Sequence, residues 1–164
     1  MSTGLLVYTL VHVAISLLGI ASGFVVIYGM LTNKPLPGWT KFFLATTILT
    51  SVTGFGFPIT EFTPGLAIGI ISLVLLSVTL YALYKQRLAG AWRWIYVVTA
   101  VIAQYLNFVV LIVQSFQKVT PLKALAPTQS EPPFLIAQLA ALAMFIVLGI
   151  MAVVKFRPMS MTAT

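Results

Sequence analysis

The residues best suited to chemistry in this chain are a single histidine, His12, and two acids, Glu61 and Glu131. His12 and Ser16 lie four positions apart in the first apolar run, so they share one helical face. A neutral imidazole there can hydrogen-bond a neighbouring helix, relay protons or bind a ligand, or it can ligate a metal or haem. The chain has no cysteine, no HExxH and no Ser/His/Asp arrangement, so we predict no catalytic residue, no metal and no cofactor.

Several side-chain amides add polarity to apolar runs. Gln104, Asn107 and Gln114 follow one face of the fourth run, and Gln138 lies near the start of the fifth. An unpaired amide in hydrocarbon costs several kcal/mol, so these side chains must face other helices or water. Hydrogen bonds between helices explain them without any function, and a ligand site is the alternative.

Small residues indicate where helices pack. Gly19 and Gly23 form a GxxxG motif on the face of His12, which allows two helices to approach closely. Thr50 and Gly54 belong to a second run that is rich in threonine. Its hydroxyls are predicted to join helices, and a hydroxyl-lined cavity or pathway is the alternative.

The amino-acid composition indicates whether water or lipid surrounds this protein. Hydrophobic residues make up 60% of it and charged residues only 7%, whereas soluble domains carry about 25% charged residues. Two acids and nine bases cannot cover a water-exposed surface, so most of the solvent is predicted to be lipid. The net charge of +7 comes from bases in short connections between apolar runs, which does not favour nucleic-acid binding.

Five apolar runs are long enough to be spans, because about 20 residues cross the hydrocarbon core. They cover about 5–31, 42–59, 65–84, 95–116 and 134–154. The second is the weakest, with a re-entrant segment as its alternative, and the first is expected to be a permanent span rather than a signal peptide. The connection at 118–133 holds four prolines and is expected to contain no helix.

The bases predict the orientation. With five crossings, one side carries seven bases and all three tryptophans. These bases are Lys34, Lys41, Lys85, Arg87, Arg93, Lys155 and Arg157. The other side carries only Lys118 and Lys123, together with both acids. The positive-inside rule therefore places the N-terminus outside and the C-terminus in the cytoplasm. The predicted fold is a single all-α domain over 1–164, an integral membrane bundle of five antiparallel helices.

This topology gathers polar residues at the outer side, where we predict a ligand pocket under the segment 128–133. Its candidate ligand-binding residues are His12, Ser16, Glu61, Gln114, Gln117, Glu131 and Gln138, with Gln129 near them. The alternative is that acids are simply tolerated outside and that loops are polar.

Two stretches carry a resemblance. Gly90–Thr99 and Ala126–Phe134 resemble segments of small bacterial inner-membrane proteins that have no named function. The resemblance implies a multi-pass protein of the bacterial inner membrane, and it implies no activity.

Three functions are compatible with this sequence. The first is a non-enzymatic binding or accessory protein that holds a lipid- or quinone-like ligand near the outer leaflet or braces a membrane complex. The second is an oligomeric small transporter or channel subunit. The third is a membrane enzyme, which would require His12 and Glu61 or Glu131 to lie within hydrogen-bond reach. The expected partners are membrane lipids and a homo-oligomer or larger membrane complex, without nucleic acid.

Overall fold

The computed structural model describes residues 2–159, and every regular element within them is helical, which confirms the all-α prediction. The helices are α1 (Thr3–Leu31), α2 (Pro37–Gly54), α3 (Pro64–Leu80), α4 (Trp92–Lys118), α5 (Thr120–Leu125) and α6 (Pro132–Lys155). A π-helical turn, Tyr81–Lys85, extends α3. Four of these helices are long and apolar enough to cross a membrane, namely α1, extended α3, α4 and α6.

Helix α2 is shorter and more polar than these four. It has 18 residues, begins at Pro37 rather than Phe42, and ends at Gly54 rather than Ile59. Proline is favourable in a first helical turn, because its missing N–H has no partner there anyway. Trp39, Thr40 and Lys41 are thereby helical, which lowers the hydropathy of the helix.

Proline also explains α5. The expectation that the 118–133 connection contains no helix is wrong, because Pro121 occupies the first turn of α5, where it removes no hydrogen bond. Pro64 and Pro132 begin α3 and α6 in the same way. The hydroxyl of Thr63 accepts a hydrogen bond from Leu66 N and so caps α3.

The long helices alternate in direction. At one end of the α1–α2 pair, Lys34 N donates to Gly29 O (2.7 Å), and at the other end His12 meets Thr53. Thr79 of α3 donates to Thr99 of α4 (2.8 Å). Further contacts join α4 to α6 at both of their ends, through Arg93 with Phe156 and through Phe116 with Phe134. Each helix is thus antiparallel to the one that precedes it among α1, α2, α3, α4 and α6.

This arrangement gives the bundle two distinct ends. Both acids lie at one end. The other, which we call the basic end, carries Lys34, Lys41, Lys85, Arg87, Arg93, Lys155 and Arg157. Arg93 Nη1 donates to Val153 O (2.8 Å) and to Phe156 O (2.6 Å), and Arg157 N donates to Asn33 Oδ1 (2.8 Å). The start of α4, the end of α6 and the α1–α2 connection are therefore joined at the basic end.

The core is concentrated in the half of the bundle nearest the basic end. All eight buried residues of α1 lie between Gly19 and Met30. In α4, buried residues run from Tyr96 to Asn107, and only Phe116 is buried beyond them. The part of α6 before Ala141 has no buried residue. The helices are therefore packed more loosely toward the opposite end.

Candidate functional site

His12 is held by a hydrogen bond that determines which ring nitrogen carries the proton. Its Nδ1 lies 2.7 Å from Thr53 Oγ1. The Thr53 hydroxyl donates its own proton to Leu49 O (2.6 Å), one turn earlier in α2. We assign that hydroxyl as the acceptor from His12, which places the proton of the neutral ring on Nδ1 and leaves a lone pair on Nε2.

The Nε2 atom of His12 is free to bind another molecule. Within residues 2–159 it has no hydrogen-bond partner, and it is not among the buried unpartnered atoms of that range, which are Thr50 Oγ1 and Gln104 Oε1. The ring is half-buried. An acceptor nitrogen thus reaches the protein surface about two turns from the start of α1.

Aromatic residues fix the orientation of the histidine. The Phe57 ring packs edge-on against His12 (centroids 5.1 Å apart) and against Tyr8 (5.0 Å). Tyr8 Oη donates to Thr53 O (2.6 Å). Gly56 gives the Tyr8 hydroxyl its space, because any side chain at this position would overlap that group. The site therefore includes Tyr8, Thr53 and Phe57, which were not among the predicted ligand-binding residues.

The position of Tyr8 in this site could have been predicted from its spacing in the sequence. Tyr8 precedes His12 by four positions, which places both side chains on one face of α1. No comparable signal pairs Phe57 with them, because Phe57 lies beyond the end of α2 and its position depends on the turn at 55–57.

The residues that were predicted to form one outer pocket separate into two groups in the structure. The first surrounds His12, and the second contains Gln117, Gln129 and Glu131. Gln117 Nε2 donates to Gln129 Oε1 (3.3 Å), and Gln129 Nε2 donates to Val113 O (2.9 Å). Glu131 bonds to Thr128 within its own loop. This second group joins α4 to the loop before α6, and within residues 2–159 no hydrogen bond connects it to His12.

Glu131 is stabilised as a carboxylate by its own loop. Desolvation raises the pKa of its carboxyl group, but hydrogen bonds from the Thr128 hydroxyl (2.8 Å) and from the N–H groups of Thr128 (3.2 Å) and Ser130 (3.1 Å) outweigh this, so the pKa is lowered from its ordinary value of 4.5. The side chain is therefore engaged locally. In the described part of the chain, neither Glu131 nor Glu61 hydrogen-bonds His12.

The other predicted ligand-binding residues, Ser16, Gln114, Glu61 and Gln138, make no hydrogen bond to the His12 side chain within residues 2–159. Ser16 donates to His12 O (2.7 Å) within α1. Gln114 and Glu61 are exposed and Gln138 is half-buried, and these three side chains have no hydrogen bond within residues 2–159. Gln114 follows Asn107 by two helical turns on one face of α4, and Asn107 Nδ2 points to Thr47 Oγ1 of α2 (3.5 Å). Gln114 is therefore on the α2-facing side of α4, in its loosely packed half.

The predicted packing residues lie between α1, α2 and α4. A Cβ at Gly19 would be 3.4 Å from Thr46 Oγ1, and a Cβ at Gly54 would be 3.9 Å from His12 Cε1. Gly23 lies directly against the carboxamide of Gln104, where a Cβ would overlap it.

Gln104 is fully buried at this contact. Its Nε2 donates to Ile20 O (2.7 Å), while its Oε1 accepts no hydrogen bond within residues 2–159. Thr50 Oγ1, also buried without a partner in that range, lies on the same helix as Thr53 and one turn nearer the bundle centre. Polar atoms thus continue from the His12 site toward the middle of the bundle.

Two open apolar grooves lie on other faces. One of about 520 Å³ lies between α1 and α2 and is lined by Leu18, Ala21, Ser22, Gly38, Trp39 and Phe42. The other, of about 380 Å³, lies between α4 and α6. Neither is lined by His12. Among the described residues, no three histidine, aspartate or glutamate side chains come together to hold a metal ion.

These features define the class of the molecule, an all-helical protein with four helices suited to a membrane. Comparison with protein families, curated proteins and solved structures finds no match that would narrow this class to a particular family.

Proposed function

We propose that the chain is a five-span protein of the bacterial inner membrane, with its N-terminus outside and its C-terminus in the cytoplasm. The α1–α2 pairing supports a fifth crossing. From Tyr8 to Gly29, contacts with α2 and its flanking turns follow α1 over about 30 Å at about 1.5 Å per residue, the thickness of a hydrocarbon core. The seven bases at one end of the bundle support the orientation.

Within that topology, we propose that the protein is a non-enzymatic binding or accessory protein. It holds a lipid- or quinone-like molecule near the outer leaflet or braces a larger membrane complex through the same surface. The observation that carries this proposal is that Nε2 of His12 reaches the surface while Nδ1 is held by Thr53, and the tautomer that we assign to the ring gives Nε2 a lone pair.

The ligand chemistry follows from that lone pair. An acceptor near hydrocarbon needs a donor, because an unpaired polar group there costs several kcal/mol. A quinol or a lipid headgroup supplies a hydroxyl donor at this depth. Gln114, exposed on the α2-facing side of α4, offers both a donor and an acceptor to the rest of such a headgroup.

The single histidine allows a direct test by ¹⁵N NMR of the histidine-labelled protein in nanodiscs. We expect the free protein to show the Nδ1-protonated ring. Titration with a short-chain ubiquinol should shift the Nε2 resonance, and so should a lysophospholipid with a free glycerol headgroup if lipid is the natural ligand. Absence of any Nε2 shift with both probes would refute the ligand proposal.

Matched variants locate the binding site. Gln114→Leu should weaken the binding of whichever probe shifts Nε2, because it removes the second polar contact. Gln117→Leu is the control, since Gln117 is exposed in the same helix but bonds to Gln129. Equal weakening by both substitutions would argue against a site that includes His12 and Gln114.

The oligomeric transporter or channel subunit is the second candidate. It is favoured by the buried oxygens that lack a partner within residues 2–159, Thr50 Oγ1 and Gln104 Oε1, which lie inward of His12. The hydroxyl face of α2 nevertheless packs against α1 and α4, with Thr46, Thr47 and Ser51 buried. Proteoliposome flux that falls more steeply than the protein density on dilution into excess lipid would favour this oligomeric candidate, and absence of flux even at high protein density would favour a binding protein.

A further inference from the structure

The groove between α1 and α2 differs from the His12 site in its position and in its chemistry. It runs from Leu18, near the middle of α1, to Gly38 and Trp39 at the start of α2. That distance is about half of the roughly 30 Å hydrocarbon core, which is the depth of one leaflet. The groove therefore opens to the leaflet at the basic end.

The lining of the groove is suited to a hydrocarbon chain. Leu18, Trp39 and Phe42 are each about half exposed along it. Among the described residues that line it, the one hydroxyl is that of Ser22, which donates to Gly19 O (3.0 Å) and so is already satisfied. The volume of about 520 Å³ lies within the range of pockets that hold small organic molecules.

The charge beside the groove favours an anion. In the sequence, Lys34 and Lys41 flank Gly38 and Trp39, which line the groove at the basic end. Both acids of the chain, Glu61 and Glu131, lie at the opposite end of the bundle. The two lysines consequently have no carboxylate to pair with among the residues that the structure describes.

We propose that this groove binds one acyl chain of an anionic phospholipid from the leaflet at the basic end, with the lipid phosphate between Lys34 and Lys41. Basic residues next to an apolar groove between membrane helices are suited to anionic headgroups. A second copy of the chain fits less well, because a two-fold interface would bring the same two lysines toward each other. A neutral quinone would leave both lysines without a counter-charge.

Trp39 makes this proposal testable by fluorescence, because it lines the groove. With Trp92→Phe and Trp94→Phe, Trp39 becomes the only tryptophan. The protein is placed in phosphatidylcholine vesicles that contain a fixed minority of brominated lipid, either phosphatidylglycerol or phosphatidylcholine. We expect brominated phosphatidylglycerol to quench Trp39 severalfold more efficiently. Equal quenching by the two lipids would overturn the proposal.

Charge-matched variants separate a local site from the general potential of the basic end. Lys34→Gln with Lys41→Gln should abolish the preference for phosphatidylglycerol. Lys85→Gln with Lys155→Gln removes the same charge at the same end and should leave the preference largely intact. If both pairs reduce it equally, the attraction is a general surface effect and the proposed site is wrong.

A third variant tests the groove itself. Ala21→Phe fills the lining while keeping both lysines, and should lower the preference; Ala143→Phe, at an exposed position of α6, should not. Native mass spectrometry of protein that keeps all its tryptophans provides an independent readout. There, phosphatidylglycerol should be retained through delipidation by the parent and by the Lys85/Lys155 variant, but not by the Lys34/Lys41 variant. Retention by all three would also refute the proposal.

Discussion

The two halves of α1 differ in how far their side chains are buried in the bundle. From Gly19 to Met30 the helix supplies eight buried residues, whereas from Thr3 to Leu18 it supplies none. In the first of these regions, Gly23 lies against a fully buried Gln104. In the second, Tyr8 and His12 join α2 through hydrogen bonds to Thr53.

Because of this difference, we expect one half of the bundle to determine the stability of the fold and the other half to bind ligands. The half near the basic end is joined by buried contacts and by Arg93, so substitutions there should act on folding. The opposite half leaves an acceptor nitrogen and an exposed amide available, so substitutions there should act on ligands with less effect on folding.

The largest effect is expected at Gly23. Gly23→Val would place a side chain on the Gln104 carboxamide, and overpacking of this kind costs about 3 kcal/mol of unfolding free energy. Gly4→Val is the control in the same helix, because no described residue lies within 4 Å of a Cβ at Gly4. Unfolding titrations in mixed micelles should show a large loss for the first variant and little change for the second. Equal losses would contradict the difference between the two halves.

A smaller effect is expected at Arg93. Arg93→Met keeps the length of the side chain but removes the donors to Val153 O and Phe156 O at the end of α6. Hydrogen bonds from a charged group contribute about 1.5–3 kcal/mol each, and less where they are partly exposed, so we expect a loss of about 2 kcal/mol. Lys85→Gln removes an equal charge at the same end and should change stability little. A comparable loss in that control would assign the effect to charge alone.

At Thr53, the predicted effect is on the histidine more than on stability. Thr53→Val removes the acceptor for His12 Nδ1–H, and such bonds between membrane helices contribute about 0.6 kcal/mol on average. ¹⁵N NMR should therefore show a mixture of ring tautomers in place of one. Ser77→Val is the control, because Ser77 donates only to Leu73 O within α3. A single unchanged tautomer in Thr53→Val would show that this bond does not fix the proton.

The general architecture was predictable from the sequence because long apolar runs and the placement of prolines determine membrane helices. The bounds of α2 were not, since its start depends on Pro37 rather than on hydropathy. Predicting a helix does not predict its rotation about its own axis. The contact of Gln104 with Gly23 therefore could not be predicted from the sequence. Sequence placed Gln129 and His12 at one end, but Gln129 adopts a left-handed backbone (φ 60°) and turns back to Val113.

The smallest effect is expected at Glu131, in the loop before α6. Its pKa is lowered in the folded protein by the hydrogen bonds from Thr128 and Ser130, so these bonds favour the ordered loop above the ordinary pKa of 4.5 and lose that contribution as the pH falls through the lowered value. Protease cleavage within 126–131 should therefore accelerate on acidification, when an acid-tolerant protease is used. Glu131→Gln should cleave faster at neutral pH and lose this pH dependence, whereas Glu61→Gln, at a carboxylate without hydrogen bonds in the described chain, should retain it. Cleavage that accelerates equally in Glu131→Gln would mean that the loop is ordered independently of its carboxylate, through the hydrogen bonds of Gln129 and the Phe116–Phe134 contact.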